Sequence, residues 1–240
     1  HFNAGWAWAL DSPFRWMKQV ASHFGGTRNG LVVRWPARIH DAGGLRSQFH
    51  HVVDIAPTIL AAAGIEPPTR VHGVEQDPID GVAMNDTFAA ADAPARRTTQ
   101  YFEILGNRAV YHDGWIASCY HGRLPWERFT SIPFDGPDEQ WELYDLRDDF
   151  SQSEDLAATH PDRLAALIDV FDVEARRCGV YPLRDPGHRR GGAMSVPAPL
   201  AAVTRMTYTP AHVRIPEPVV VNLKNCSFRI SAAIEIDDAA

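Results

Sequence analysis

Apolar positions in this chain recur with two periods, and the changes between them mark its elements. Gly30-Leu31-Val32-Val33-Arg34-Trp35-Pro36 is a short β-branched run closed by proline, which predicts a buried strand. From Asp54 to Gly64 the spacing predicts a helix. Asp54 can cap its start, and Pro57 stands in the first turn, where a lost N–H costs little. Gly64 can take the left-handed closing position, with Pro67 beyond it. Ile55, Ile59 and Ala62 share one face, which is therefore expected to pack on something apolar. Residues 73–100 are polar and rich in Pro, Asp and Ala, and read as a surface connection.

The next stretch alternates with period two. Residues 108–112 and 115–118 flank Asp113-Gly114, the favoured pair for a two-residue hairpin turn. Residues 141–146 alternate like a half-exposed strand. Pro161 then opens a helix whose apolar face is Leu164, Leu167, Ile168, Phe171 and Ala175. Arg176 and Arg177 stand in its last turn and Gly179 ends it. Residues 182–202 form a linker rich in Pro, Gly, Arg and Ala. Beyond it, 219–222 and 227–236 predict strands of a further β domain. Two or three strands cannot cover both faces of a sheet, so more of that domain is expected elsewhere. Both ends of the sequence look cut.

Composition narrows the function classes. A chain of 240 residues that is 45% hydrophobic and 22% charged is ordinary globular material. No apolar run approaches the length that crosses a bilayer. A net charge of −7 argues against a nucleic-acid partner, whose phosphates ask for a basic face. Cys119, Cys178 and Cys226 lack metal-ligand spacing and read as buried or incidental thiols. Of the 23 basic residues only Lys18 and Lys224 are lysine. An ammonium is a compact, rotatable point charge and a guanidinium a wide planar fork. A tight pocket around one oxygen could demand the former.

The densest polar cluster runs from Arg15 to Arg28. Lys18, His23 and Arg28 are spaced five apart around Gly25-Gly26, a pair that permits close backbone approach to a ligand. Three cations there suit an oxyanion such as sulfate or phosphate. Equally, the run can be a basic surface loop with His23 hydrogen-bonded in place. His50-His51 invite a metal reading, but adjacent histidines point apart, and packing and capping roles fit better. Trp6, Trp8, Phe14 and Trp16 can line an aryl pocket or form core.

The segment Lys18-Gln19-Val20-Ala21-Ser22-His23-Phe24-Gly25-Gly26-Thr27-Arg28 resembles the K-x-x-x-x-x-x-G-G-x-R stretch of the large bacterial arylsulfatases, members of the alkaline-phosphatase-like superfamily. The similarity continues in 48–60, 107–115 and 141–146, in the family's order. The resemblance implies an α/β fold. Residues 1–75 would end the catalytic α/β domain and 76–181 would form a C-terminal subdomain of small antiparallel sheet plus helix. Residues 182–202 would be the linker and 203–240 the start of a truncated β-sandwich. It implies hydrolysis of aryl sulfate monoesters, with Ca2+ and a formylglycine made from a cysteine in Cys-x-Pro/Ala-x-Arg. Lys18 would be the catalytic, sulfate-binding lysine, with His23 and Arg28 as further substrate-binding residues. None of the three cysteines offers the modification motif, and no early Asp-Asp or Asp-Asn ligand pair is present. Nucleophile and calcium ligands would therefore lie upstream, and the chain alone should be inactive. The expected partner is a small-molecule sulfate ester, with neither nucleic acid nor membrane; oligomeric state carries no signature. Relatives of this type often lack a secretion signal, which points to the cytoplasm, with the periplasm as alternative. Two other functions stay open: a phosphonate or phosphodiester hydrolase of the same superfamily, and a non-catalytic binding module.

Overall fold

A computed structural model describes residues 3–122, 134, 139–183, 205–208 and 227–233. The chain divides into two units, His1–Gly187 and His188–Ala240. In the first, the elements run α1 (Ala4–Asp11), α2 (Phe24–Thr27), α3 (Ile55–Ala63), β1 (Arg70–Val71), β2 (Val74–Glu75) and α4 (Asp86–Ala89). They continue with β3 (Thr99–Ile104), β4 (Asn107–His112), β5 (Trp115–Cys119), β6 (Trp141–Asp145) and α5 (Pro161–Arg177).

The four longer strands form an antiparallel sheet in the order β3-β4-β5-β6. Asp113 and Gly114 join β4 to β5 with φ of 46° and 84°, the left-handed pair that a two-residue hairpin turn needs. Leu105 and Gly106 do the same between β3 and β4 with φ of 56° and 88°. Gly114 and Gly106 carry no β-carbon penalty there.

Successive side chains on a strand point to opposite faces, and this sheet covers both. Val110, Trp115, Ala117 and Leu143 face α5, packing with Leu167, Phe171 and Ala175. Ala109, Ile116 and Tyr144 face the other way, against Phe24 and the half-buried Phe14. Every residue of β5, and all of β4 but His112, is therefore buried. The aromatic-rich segment 14–24 is the second cover of the sheet.

Helix α3 has the predicted bounds, closing on Gly64 at φ 68°. The Asp54 carboxylate accepts from the backbone N–H groups of His51 (2.9 Å) and Val82 (2.8 Å). It is fully buried and paired with Arg97, whose Nε lies 2.9 and 3.0 Å from its two oxygens. The expected packing face is not the buried one. Thr58 is buried, whereas Ile59 is 62% exposed and Ile55 is exposed as well. Side-chain hydrogen bonds explain the choice: Thr58 donates to the Asp54 carbonyl and accepts from the Met84 N–H.

Three further expectations are corrected. Residues 31–35 form no strand, and Val32 is 93% exposed. A strand needs a neighbour for its backbone groups, and no described segment pairs with this one. Residues 227–233 likewise show no strand, and Phe228 and Ile230 are exposed. The predicted strand at 219–222 lies outside the described residues. Within 73–100, read as a connection, lie α4, β2, which pairs with β1, and the start of β3. Among the described residues no helix is long and apolar enough to cross a membrane.

Candidate functional site

The segment from Arg15 to Gly26 lies on the sheet face opposite α5. It folds back on itself: the Gly25 N–H donates to the Arg15 carbonyl at 3.0 Å, and the Val20 N–H to the Met17 carbonyl at 3.1 Å. The two glycines permit this closure. A Cβ on Gly25 would stand 2.2 Å from the Trp16 carbonyl oxygen, and one on Gly26 2.0 Å from that of Val20. Neither glycine has positive φ. The close approach they permit is to the loop's own backbone.

Lys18 sits on this loop. Met17, Val20, Ala21, Ser22 and His23 are buried, whereas Lys18 is exposed. On either side of the Met17-Lys18 pair, Trp16 and Gln19 have φ of 68° and 83°, a left-handed backbone that side chains other than glycine seldom adopt. Such backbone persists only where surrounding contacts over-determine it, and here they do. The Trp16 ring stacks on Tyr120 at 4.3 Å, and Asn107 Nδ2 donates to the Gln19 carbonyl at 3.2 Å. Asn107 Oδ1 also accepts from the His121 N–H at 3.1 Å, tying the loop to the end of β5.

His23 is fully buried. Its Nε2 is 2.8 Å from Glu142 Oε2 and its Nδ1 is 2.9 Å from Ser22 Oγ. Burial holds its pKa below the ordinary value, against the opposing pull of Glu142. The neutral ring therefore donates from Nε2 to the carboxylate and accepts the Ser22 hydroxyl at Nδ1, an assignment that follows from the partners. Glu142 also accepts from the Tyr144 hydroxyl at 2.9 Å, and Arg15 donates to that hydroxyl at 2.8 Å. Burial acts to raise the Glu142 pKa, but His23, Tyr144 and Arg15 outweigh it and hold the carboxyl low.

Arg28 is exposed, with its guanidinium 5.0 Å from the Phe14 ring centre and 5.5 Å from that of Phe24. Lys18, His23 and Arg28 thus occupy three different surroundings: solvent, a buried carboxylate and an aromatic platform. Of the four aromatic residues, Phe14 packs against Phe24 and Phe150, and Trp16 is half-buried on Tyr120. Trp6 and Trp8 are exposed on α1. His51 caps the turn before α3, and the adjacent His50 is half-buried.

Asn107, Glu142 and Tyr144, which complete the arrangement, were not singled out as site residues in the sequence. The alternation of 141–146 already puts Glu142 and Tyr144 on one face. Their pairing with residues more than a hundred positions earlier has no local signal. Among the described residues no three His, Cys, Asp or Glu side chains converge as metal ligands do. Cys119 is buried beneath Arg108, and burial pushes its thiol up to about 11, far from a reactive thiolate.

Comparison with known proteins defines the class. Residues 14–165 match the family described as N-sulphoglucosamine sulphohydrolase, C-terminal, and the chain belongs to that sulfatase family. An uncharacterized sulfatase of Schizosaccharomyces pombe is 30% identical over 183 residues, 75% of this chain and 30% of that protein. The N-acetylglucosamine-6-O-sulfatase of Bacteroides thetaiotaomicron is 30% identical over 122 residues, 51% of this chain and 20% of that protein. The chain thus spans less than a third of the length of these relatives. The crystal structure of Ps i-CgsB superposes with a TM-score of 0.51 at 20% identity, covering 68% of this chain and 32% of that one. The fold is accordingly the C-terminal part of the alkaline-phosphatase-like sulfatase architecture, with a small antiparallel sheet and a packed helix.

Proposed function

We propose that this chain contributes the sulfuryl-binding lysine of a sulfate-monoester hydrolase, and that Lys18 is that residue. The observation that carries the reading is the exposed ammonium on a loop anchored by the buried Met17 and Val20 to His23, closed by two glycines and fixed through left-handed backbone at Trp16 and Gln19. A preorganised point charge suits the negative charge that builds on the sulfuryl and leaving oxygens as the S–O bond breaks. His23 acts from beneath, holding the loop on Glu142, and Arg28 borders it from the phenylalanine platform.

Residues 1–75 would complete the catalytic α/β domain. The exposed apolar residues Leu31, Val32, Ile55 and Ile59 support this, since surface of that kind asks for a cover. The donor set described in this chain does not fit a calcium site, and its buried Cys119 does not fit a formylglycine precursor. Both groups would be carried by polypeptide outside it.

The family-level reading is sulfate ester hydrolysis; the leaving group divides two finer ones. An aryl sulfate follows from the arylsulfatase-like segments. A carbohydrate sulfate is favoured by the similarity to the Bacteroides N-acetylglucosamine-6-O-sulfatase. The Trp16–Tyr120 stack beside Lys18 offers an aromatic surface to either ring.

The test is the Lys18→Ala exchange in a family-length polypeptide carrying this segment, assayed on an aryl sulfate, a sugar 6-O-sulfate and the matching phosphate esters. Loss of one preorganised charge should lower kcat roughly 10²- to 10³-fold on the sulfate ester that is the substrate. Near-wild-type kinetics would remove Lys18 from the site. Faster turnover of the phosphate esters would replace sulfatase by phosphoryl-transfer chemistry.

A further inference from the structure

Both flanks of the Lys18 loop converge on one carboxylate. On one side, Arg15 donates to the Tyr144 hydroxyl at 2.8 Å and lies 3.6 Å from Glu142 Oε2. On the other, His23 meets the same Oε2 at 2.8 Å. Tyr144 closes the network by donating to Glu142 at 2.9 Å. Glu142 and Tyr144 project from one face of β6, a rigid strand whose opposite face is packed on α5 through Leu143. Between the two flanks lie only Trp16 to Ser22, with Lys18 near the middle and Asn107 holding Gln19.

We propose that Glu142 is a positioning residue for Lys18, setting the ammonium's place by fixing Arg15 and His23 at the two ends of its loop. The inference rests on the reading of Lys18 as the sulfuryl-binding cation. It adds that the small C-terminal sheet, 119 positions further along the chain at the His23–Glu142 contact, is part of the catalytic geometry. Glu142 has no need to touch substrate. The buried imidazole loses its acidic partner when Glu142 is truncated, and the loop then has one fixed flank fewer.

The experiment is a double-mutant cycle in a family-length active polypeptide: wild type, Glu142→Ala, Lys18→Ala and the pair. A misplacement of the cation by about 1 Å can cost up to roughly 10²-fold, so Glu142→Ala should lower kcat between about 10- and 100-fold with little change in KM. In the Lys18→Ala background the same change should lower the residual rate by no more than about twofold, since the cation it positions is gone. Glu142→Gln keeps an acceptor for His23 and Tyr144 and should recover most of the rate. Equal losses from Glu142→Ala in both backgrounds would overturn the positioning role while leaving Lys18 in the site. A wild-type rate for Lys18→Ala would overturn both readings, and the two failures are thus told apart.

Should Glu142→Ala not fold, Arg15→Ala carries the same cycle, because Arg15 is half exposed and joins the network from its rim. Amide hydrogen exchange on the 1–240 chain supplies a readout independent of turnover. Exchange at 16–20 should accelerate in Arg15→Ala and stay near wild type in Glu142→Gln, while the amides of α5 keep wild-type rates in both. Acceleration spread equally over α5 would mean general destabilisation and would overturn the proposal.

Discussion

A β-carbon at Gly26 has nowhere to go: the Val20 carbonyl oxygen would be 2.0 Å away and its carbon 2.7 Å away. Both belong to the backbone of the Lys18 loop, which cannot rotate aside as a flexible side chain would. Gly26→Ala should therefore destabilise the chain by about 1–3 kcal/mol, the usual cost of overpacking, read as a lower urea midpoint at unchanged slope. Gly30 is the control. Nothing lies within 4 Å of its added Cβ, so Gly30→Ala should stay within about 0.5 kcal/mol. Equal midpoints for the two variants would remove the glycine pair from loop closure. Residue spacing had suggested that these glycines admit a ligand; the sequence carries their need for space but not what fills it. The same limit applies to His23. Its position five residues after Lys18 was visible, whereas its burial against Glu142 depends on a strand far along the chain.

At the scale of elements, legibility followed the number of partners each pattern needed. The Asp113-Gly114 hairpin and α5 carry their own signals: a turn pair with flanking alternation, and a proline start with a 3.6-residue stripe. Both formed where expected. Strand β3 carries no such signal, because its residues are half-buried from Thr99 to Glu103 without alternation, Ile104 is exposed, and the strand follows a polar stretch. Residues 31–35 differ in the opposite direction, having the composition of a buried strand and no pairing strand among the described residues. Two substitutions separate covered from uncovered apolar faces. Phe171, 1% exposed between α5 and the sheet, should cost about 3–5 kcal/mol when truncated to Ala. Ile59→Asp should leave the 1–240 chain within about 0.5 kcal/mol of wild type, because that face of α3 is exposed. In a family-length polypeptide it should destabilise, as expected if the face is covered there. A large loss from Ile59→Asp in this chain would contradict the exposure of the helix face.

Across the whole molecule, burial ties stability to proton binding. His23, His50 and His51 all have pKa values held below the ordinary 6.5, in each case chiefly by burial. In the unfolded chain these rings take up protons near pH 6.5, and in the folded chain only at lower pH. Between those limits the unfolded state holds more protons, so stability is full above about pH 6.5 and falls as the pH drops towards the folded values. The carboxylates act in the same direction further down. Burial alone would raise Asp54 and Glu142, but Arg97 in one case and His23 with Tyr144 in the other hold both below their ordinary 3.8 and 4.5. Their contribution is lost only as the pH falls through that lower range. The urea midpoint of the 1–240 chain should thus be level from pH 8 to 7 and decline as the pH falls below about 6.5. His23→Gln, which keeps a donor for Glu142 without a titrating ring, should reduce the slope of that decline. A midpoint independent of pH over this window would mean that the three rings are protonated as readily in the folded chain as in water. The buried contact between His23 and Glu142 would then have to be an ion pair, and the Lys18 loop would rest on charge attraction instead of a neutral hydrogen bond.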